Sequence, residues 1–317
     1  MTPRVSVNIA VKDRREMLAA CLDGLAAQTY RDFEVVVVDN GSSDGSPDEA
    51  ARARNFPVSV ISELGSLGAV RNAGVAASAG EIVAFVDSDC VPAREWLAAG
   101  ITAYADDARV ATVQGATLPD PAVERGRWFV TQEITAFTNR YEACNLFYRR
   151  AVLLDAGGFD EQIGFFGEDS VAGWAVRRLG HEERFAPGAV VHHAVTHPGM
   201  RWHLRRGLRY SNWNALVRRF PEMRQVMFWH RVFLRPASAQ TLGALTGLAV
   251  VVGSVFARSA VGVFAGLACA APFAWRHRPY TWRNRIAIID ALGGAGFDIA
   301  VELGLLWGSI RERTLLL

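Results

Sequence analysis

The stretch Glu81-Ile-Val-Ala-Phe-Val-Asp-Ser-Asp-Cys-Val-Pro92 decides how this chain is read. Ile82 to Val86 is a short, wholly apolar run rich in β-formers, which reads as a buried parallel strand. Asp87 and Asp89 stand at its C-terminal end, and Pro92 closes the segment. In open α/β sheets, ligands bind outside the carboxyl ends of the strands. Carboxylates there can hold a hard divalent cation, and such a cation can hold a diphosphate. Asp-x-Asp by itself is a weak signal, and the competing reading is a solvated turn. The flanking sequence has to decide between them.

Working outward, Val5 to Ile9, Phe33 to Val38 and Val58 to Ser62 read as further strands. Between them, Arg15 to Ala27 carries Met17, Leu18, Cys21, Leu22 and Leu25 at helical spacing, and Pro47 to Arg54 and Gly68 to Ala79 read as helices. The alternation implies an α/β, doubly wound sheet. No Gly-x-Gly-x-x-Gly follows the first strand; Ala10-Val11-Lys12-Asp13-Arg14 stands there instead, so the usual dinucleotide fingerprint is absent. Asp39, at the end of the second strand, could accept a hydrogen bond from a base N–H such as uracil N3. Its competing role is a turn or helix-cap carboxylate.

The net charge is +2, which points to no nucleic-acid partner. Half the residues are hydrophobic and the mean hydropathy is +0.12, an excess concentrated after about residue 236. Cys21, Cys90, Cys144 and Cys269 have no paired spacing, which suggests neither a disulfide framework nor a zinc site and fits a reducing compartment. The N-terminus runs directly into a strand, so no signal peptide is expected and the first two hundred residues should stay in the cytosol.

Val5 to Pro92 resembles the nucleotide-binding half of a family 2 glycosyltransferase with the GT-A fold. The matching pieces are Val36-Val-Val-Asp-Asn-Gly-Ser-Ser-Asp44, Gly68-Ala-Val-Arg-Asn-Ala-Gly74 and Phe85-Val-Asp-Ser-Asp89. Their order and spacing carry the likeness. The resemblance implies Asp39 at the base, Asp87 at ribose or metal, Ser88 beside the donor, and Asp89 as a direct metal ligand. Arg71 begins the family's Arg-Asn motif and is expected near the donor phosphates; otherwise it is a surface helix arginine. The loop after the first strand departs from the family's Pro-Thr-Tyr-Asn. Ala10 and Lys12 are still expected at the nucleotide, Lys12 as a point charge on phosphate.

Val110 to Ala116 reads as another strand, and Trp128 to Tyr141 as the wall of an acceptor groove. Cys144-Asn-Leu-Phe-Tyr-Arg-Arg150, Gly157-Gly-Phe-Asp-Glu161 and Gly164-Phe-Phe-Gly-Glu-Asp169 resemble the acceptor half of the same family. A metal-bound diphosphate is already a good leaving group, so what remains is removal of the acceptor hydroxyl proton. The pair Glu168 and Asp169 is expected to be catalytic, Asp169 as general base; the competing role for Asp169 is a helix cap. Val171 and Ala175 depart from acidic and arginine positions common in the family. The resemblance also implies a metal-binding histidine after the last strand, and His193 matches it better than His192. Carboxylates with one imidazole suit Mn²⁺ or Mg²⁺.

Arg201, Arg205 and Arg209 fall on one helical face, and Trp202, Tyr210 and Trp213 suit a membrane surface. Ala237 to Ala257 is apolar and long enough to span; Ala260 to Trp275 is a shorter second arm. Arg231, Arg235, Arg276 and Arg278 flank a hairpin whose ends would both lie on the cytoplasmic side of the cell membrane. The hairpin either spans or lies in the interface. Ile286 to Ile310, interrupted by Asp290, Asp298 and Glu302, reads as an amphipathic helix on the membrane or against the hairpin.

The expected organisation is a GT-A catalytic domain over 1–230 and a helical membrane-associated region over 231–317. The expected activity is metal-dependent, inverting transfer of a sugar from a nucleotide-diphosphate sugar, UDP-linked as first choice. The acceptor would be a glycan or lipid-linked hydroxyl of the cell envelope. The rivals are a nucleotidyltransferase, which would show a basic Gly-rich loop after the first strand, and a catalytically silent glycan-binding protein on the same fold.

Overall fold

The structure is a computed structural model, and it describes residues 3–52, 54–105, 107–125, 128–163, 167–279 and 285–317. Gly164, Phe165 and Phe166 of the expected acceptor motif lie outside the described residues. The chain divides into two compact units. One comprises residues 1–125 and 130–196, the other 126–129 and 197–317. The division after Thr196 lies upstream of the 230/231 boundary expected from the sequence.

The first unit opens with β1 (Val5–Val11), α1 (Arg15–Ala26), β2 (Phe33–Asp39), α2 (Ser46–Ala50), β3 (Val58–Ser62), α3 (Leu67–Ala77) and β4 (Ile82–Val86). These strands run parallel in the spatial order β3-β2-β1-β4. All five residues of β4 are buried, as a strand covered on both faces requires. In α1, Leu18, Cys21, Leu22 and Leu25 face the core, whereas Met17, expected with them, is exposed. α2 is shorter than expected: the Arg54 guanidinium donates to the Glu49 carbonyl at 3.1 Å and ends the helix there. Ser66 caps α3, its hydroxyl accepting from the Ala69 N–H at 3.2 Å.

The same unit continues with β5 (Cys90–Pro92), α4 (Trp96–Thr102), β6 (Val110–Pro119), β7 (Asn145–Arg149), α5 (Arg150–Asp155), α6 (Glu168–Arg178) and β8 (Glu182–His193). The sheet is eight-stranded and mixed, in the order β3-β2-β1-β4-β7-β6-β8-β5. β7 is antiparallel to β4 and β6, and β5 antiparallel to β8. Asn145 knits this half together. Its side-chain amide donates to the Ala116 and Ala189 carbonyls, both at 2.8 Å, and accepts from the Trp96 indole at 2.8 Å. A fully buried amide has to satisfy its polar atoms this way.

The second unit holds α7 (Met200–Leu208), a 3-10 turn (Arg209–Ser211), α8 (Asn212–Arg219), α9 (Met223–Met227), α10 (Pro236–Phe256), α11 (Ala260–Arg276) and α12 (Arg285–Glu312). α10 and α11 form the expected hairpin. A Cβ on Gly247 would lie 2.5 Å from the Gly266 carbonyl, and one on Gly266 2.6 Å from the Gly247 carbonyl, so glycine permits the close approach. α10 is long and apolar enough to cross a membrane; α11 is a shorter apolar helix. α12 packs mainly on α7, the 3-10 turn and α8, and more lightly on α10. Asn214, fully buried, ties these pieces by donating to Ser309 Oγ at 3.0 Å and the Thr314 carbonyl at 2.9 Å. Arg201, Arg205 and Arg209 are exposed, but Trp213 is core and not a surface anchor. It packs edge-on against Phe228.

Candidate active site

The site lies at the carboxyl ends of β1, β2 and β4 in the first unit. The β1–α1 and β2–α2 loops are pinned to each other. The Asp13 carboxylate accepts from the Ser43 N–H at 2.8 Å, the Asp44 carboxylate accepts from the Arg15 N–H at 2.8 Å, and the Asp13 N–H donates to Ser42 Oγ at 3.0 Å. A small pocket at the strand ends is lined by Ala10, Val38, Arg71, Asp87 and Ala143. Lys12 is exposed on the β1–α1 loop. Asp39 is buried, and its carboxylate accepts from the Gly41 N–H at 3.2 Å and the Ser42 N–H at 3.1 Å. Asp39 thus holds its own turn, the competing role for this residue.

The two carboxylates after β4 face different partners, because the chain turns there: the Cys90 N–H donates to the Asp87 carbonyl at 2.9 Å, with Ser88 buried between them. Asp89 Oδ1 is buried and has no hydrogen-bond partner. It faces His193 Nε2 at 3.8 Å. β5 and β8 create that meeting, because their antiparallel register sets Cys90 opposite His193 and Val91 opposite His192. His193 Nδ1 lies 2.8 Å from the Ala194 carbonyl. Donation there leaves Nε2 as the lone-pair nitrogen toward Asp89, the arrangement a metal-binding imidazole needs. Cys90 completes a triad of possible ligand atoms within 4.8 Å of one another. Burial holds its thiol well above the ordinary value, which keeps it a poor anionic ligand. An orphaned carboxylate oxygen opposite an imidazole nitrogen fits a divalent cation.

Asp87 turns toward Arg71. The Arg71 guanidinium is 6% exposed, so it is not a surface helix arginine. Its Nη2 donates to Asp87 Oδ1 at 3.2 Å and its Nη1 to Glu168 Oε1. Burial works against the charge, but Glu168, Asp87 and Asp169 outweigh it and hold the guanidinium firmly protonated. The next residue fixes the same helix to the acceptor half. Asn72 exchanges two hydrogen bonds with the Phe159 backbone, both at 2.9 Å, so the Arg-Asn and Gly-Gly-Phe-Asp motifs interlock. Gly158, at φ +69°, makes the turn that allows it.

Asp169 sits in the first turn of α6, not at its cap, which is Gly167 at φ 107°. Its carboxylate accepts from the Ser170 N–H at 2.7 Å and from the Ala143 N–H at 3.3 Å. Burial first, then neighbouring Glu168, raise its pKa well above the ordinary carboxylate value, against the opposing pull of Arg71. The structure therefore brings Asp87, Arg71, Glu168 and Asp169 into one network and Asp89 with His193 into another.

Two contacts were not foreseen from the sequence. Arg14 Nη1 donates to Asp89 Oδ2 at 2.5 Å, and the Ala143 N–H reaches Asp169. Nothing in the charged run Lys12 to Arg15 distinguishes Arg14, and a backbone donor leaves no trace in residue identity.

Residues 6–157 match the model of the family described as glycosyl transferase family 2. The glycosyltransferase AglE of Haloferax volcanii is 34% identical over 175 residues, 51% of this chain and 57% of the relative. The chain thus spans little more than half the length of that relative. The mannosyltransferase PcManGT from Pyrobaculum calidifontis, solved in complex with GDP-Man and Mn2+, aligns with a TM-score of 0.68 at 23% identity, covering 97% of this chain and 88% of that one. S. aureus TarS 1-349, in complex with UDP-GlcNAc, aligns with a TM-score of 0.55 at 17% identity, covering 98% and 92%. These likenesses establish the GT-A-like α/β fold followed by C-terminal helices.

Proposed function

We propose, from the match of residues 6–157 to the model of glycosyl transferase family 2, that the chain transfers a sugar from a nucleotide-diphosphate sugar to a hydroxyl acceptor, with inversion, using a divalent cation. The observation that carries the reading is the pairing of Asp89 Oδ1, orphaned and buried, with His193 Nε2 at 3.8 Å. A cation held by these two residues would stabilise negative charge on the departing diphosphate. PcManGT with GDP-Man and Mn2+ and TarS with UDP-GlcNAc support a nucleotide-sugar donor and a divalent ion; UDP remains the first choice of base.

Asp169 takes the acceptor hydroxyl proton. A carboxylate whose pKa is raised by burial is a stronger base than an exposed one, and two backbone N–H groups hold it in place. Glu168 holds Arg71, and Arg71 holds Asp87, so the base and the donor-side carboxylate are built on one rigid network. With Asp169 acting as base rather than as nucleophile, the transfer is a single displacement. The apolar α10–α11 hairpin supports residence at the cytoplasmic side of the cell membrane, and hence a lipid-linked or envelope glycan as acceptor.

The test is titration of UDP- and GDP-sugars in Mn²⁺ and in EDTA, with Asp89→Ala as control. Binding should require the cation and vanish in Asp89→Ala while the variant stays folded. Equal affinity in Mn²⁺ and EDTA would reject the metal-dependent reading.

A further inference from the structure

Each carboxylate of the Asp87-Ser88-Asp89 segment is met by an arginine, and the two arginines differ in kind. Arg71 is buried on α3 and engages two carboxylates, so it is a fixed part of the framework. Arg14 precedes α1 and its side chain is 44% exposed. Its backbone is anchored, since the Arg14 N–H donates to Ser46 Oγ at 3.2 Å. Its guanidinium meets Asp89 Oδ2 at 2.5 Å, on the same carboxylate whose Oδ1 faces His193. Asp89 is 11% exposed, and a carboxylate that shielded needs a counter-charge.

We propose that Arg14 is a placeholder cation: it neutralises Asp89 while the metal site is empty, then releases the carboxylate and engages the donor's diphosphate. The proposal rests on the metal-dependent reading above. Two cations cannot share one carboxylate without mutual repulsion, so a divalent ion and the Arg14 guanidinium compete for Asp89. Once displaced, the guanidinium stands beside a diphosphate, whose oxygens match its fork of donors better than a lysine would. Arg14 thus opposes metal binding alone and favours nucleotide binding afterwards. The free site is kept neutral, and metal and nucleotide are made to load together.

This exchange predicts effects of opposite sign from one substitution. In full-length protein, calorimetry would measure Mn²⁺ alone, then UDP and GDP at saturating Mn²⁺. Arg14→Gln should bind Mn²⁺ about tenfold more tightly than the unaltered chain and the nucleoside diphosphate about tenfold more weakly, the scale of one charge-assisted hydrogen bond. Arg14→Lys keeps the charge without the fork and should fall between. A purely structural Arg14–Asp89 pair predicts the contrary, because loss of the arginine would leave Asp89 misplaced and weaken both ligands. Weakening of both, or no change in either, overturns the proposal while leaving the metal-dependent reading intact. Nucleoside diphosphate binding by the unaltered chain that is equal in Mn²⁺ and in EDTA overturns both.

Discussion

Arg71→Met removes the charge that joins Asp87 to Glu168 while keeping most of the side-chain volume. Arg71 is 6% exposed and Glu168 3%, so the substitution strands a buried carboxylate, with Asp169 beside it. Removing one partner of a buried pair costs about 3–5 kcal/mol, because the survivor keeps its desolvation penalty and loses its compensation. For a folding unit of this size that corresponds to a fall in Tm of roughly 6–20 °C. The pH dependence has a definite sign. Asp169's pKa in the folded chain is already raised above its ordinary value of 3.8, so between that value and the folded one the native state binds more protons than the unfolded state. Its contribution to stability therefore declines as pH rises through that window. Loss of Arg71 removes the larger of the influences that lower this pKa, leaving the Ser170 N–H, so the window widens upward and the variant's deficit should shrink as pH falls. Glu168→Gln in the same background should restore part of the loss, since it removes the stranded charge itself. The assay is thermal unfolding in detergent from pH 5 to 8 for wild type, both single variants and the double variant. A Tm within a degree of wild type in Arg71→Met, or strictly additive effects in the double variant, would refute the network.

Asp169→Asn should reduce turnover by about a hundredfold to ten-thousandfold, the range for a lost general base, with donor Kd and Tm nearly unchanged; near-normal turnover would shift the role to Glu168. In the unaltered enzyme the acid limb of kcat/KM should lie above the ordinary carboxylate range, because Asp169 must be deprotonated to act and its pKa is raised. In the helical unit, Asp298 is buried and meets Arg235 at 2.6 Å, His277 at 3.0 Å and Arg276 at 3.4 Å, joining both ends of the hairpin to α12. Asp298→Asn should therefore cost about 1–3 kcal/mol, read as a lower melting temperature in detergent and faster cleavage near Arg276; an unaltered melt would show the cluster to be dispensable. The full chain should pellet with membranes, and resistance to carbonate extraction would mark the hairpin as spanning; recovery in the soluble fraction without detergent would reject membrane residence.

The strands β1 to β4, helices α1 and α3 and the apolar hairpin were legible in the sequence, because each announces itself through local periodicity or an unbroken apolar run. Motif order singled out Asp87, Asp89, Asp169 and His193. Their grouping was not legible there. β7, whose Asn145 amide ties three strands, and the three-residue β5 have no local signature, since both are defined by their partners across the sheet. The register of β5 on β8 aims His193 at Asp89, and residues more than a hundred positions apart leave no spacing to count. Arg71 read as a phosphate contact or a surface arginine because a helix position shows only its own face. Packing of α3 against α6 and the Gly157–Asp160 turn made it the bridge between Asp87 and Glu168. Residue type determined which chemistry was available, and side-chain burial and long-range pairing decided which groups share it, because electrostatic coupling depends on distance through space and not along the chain.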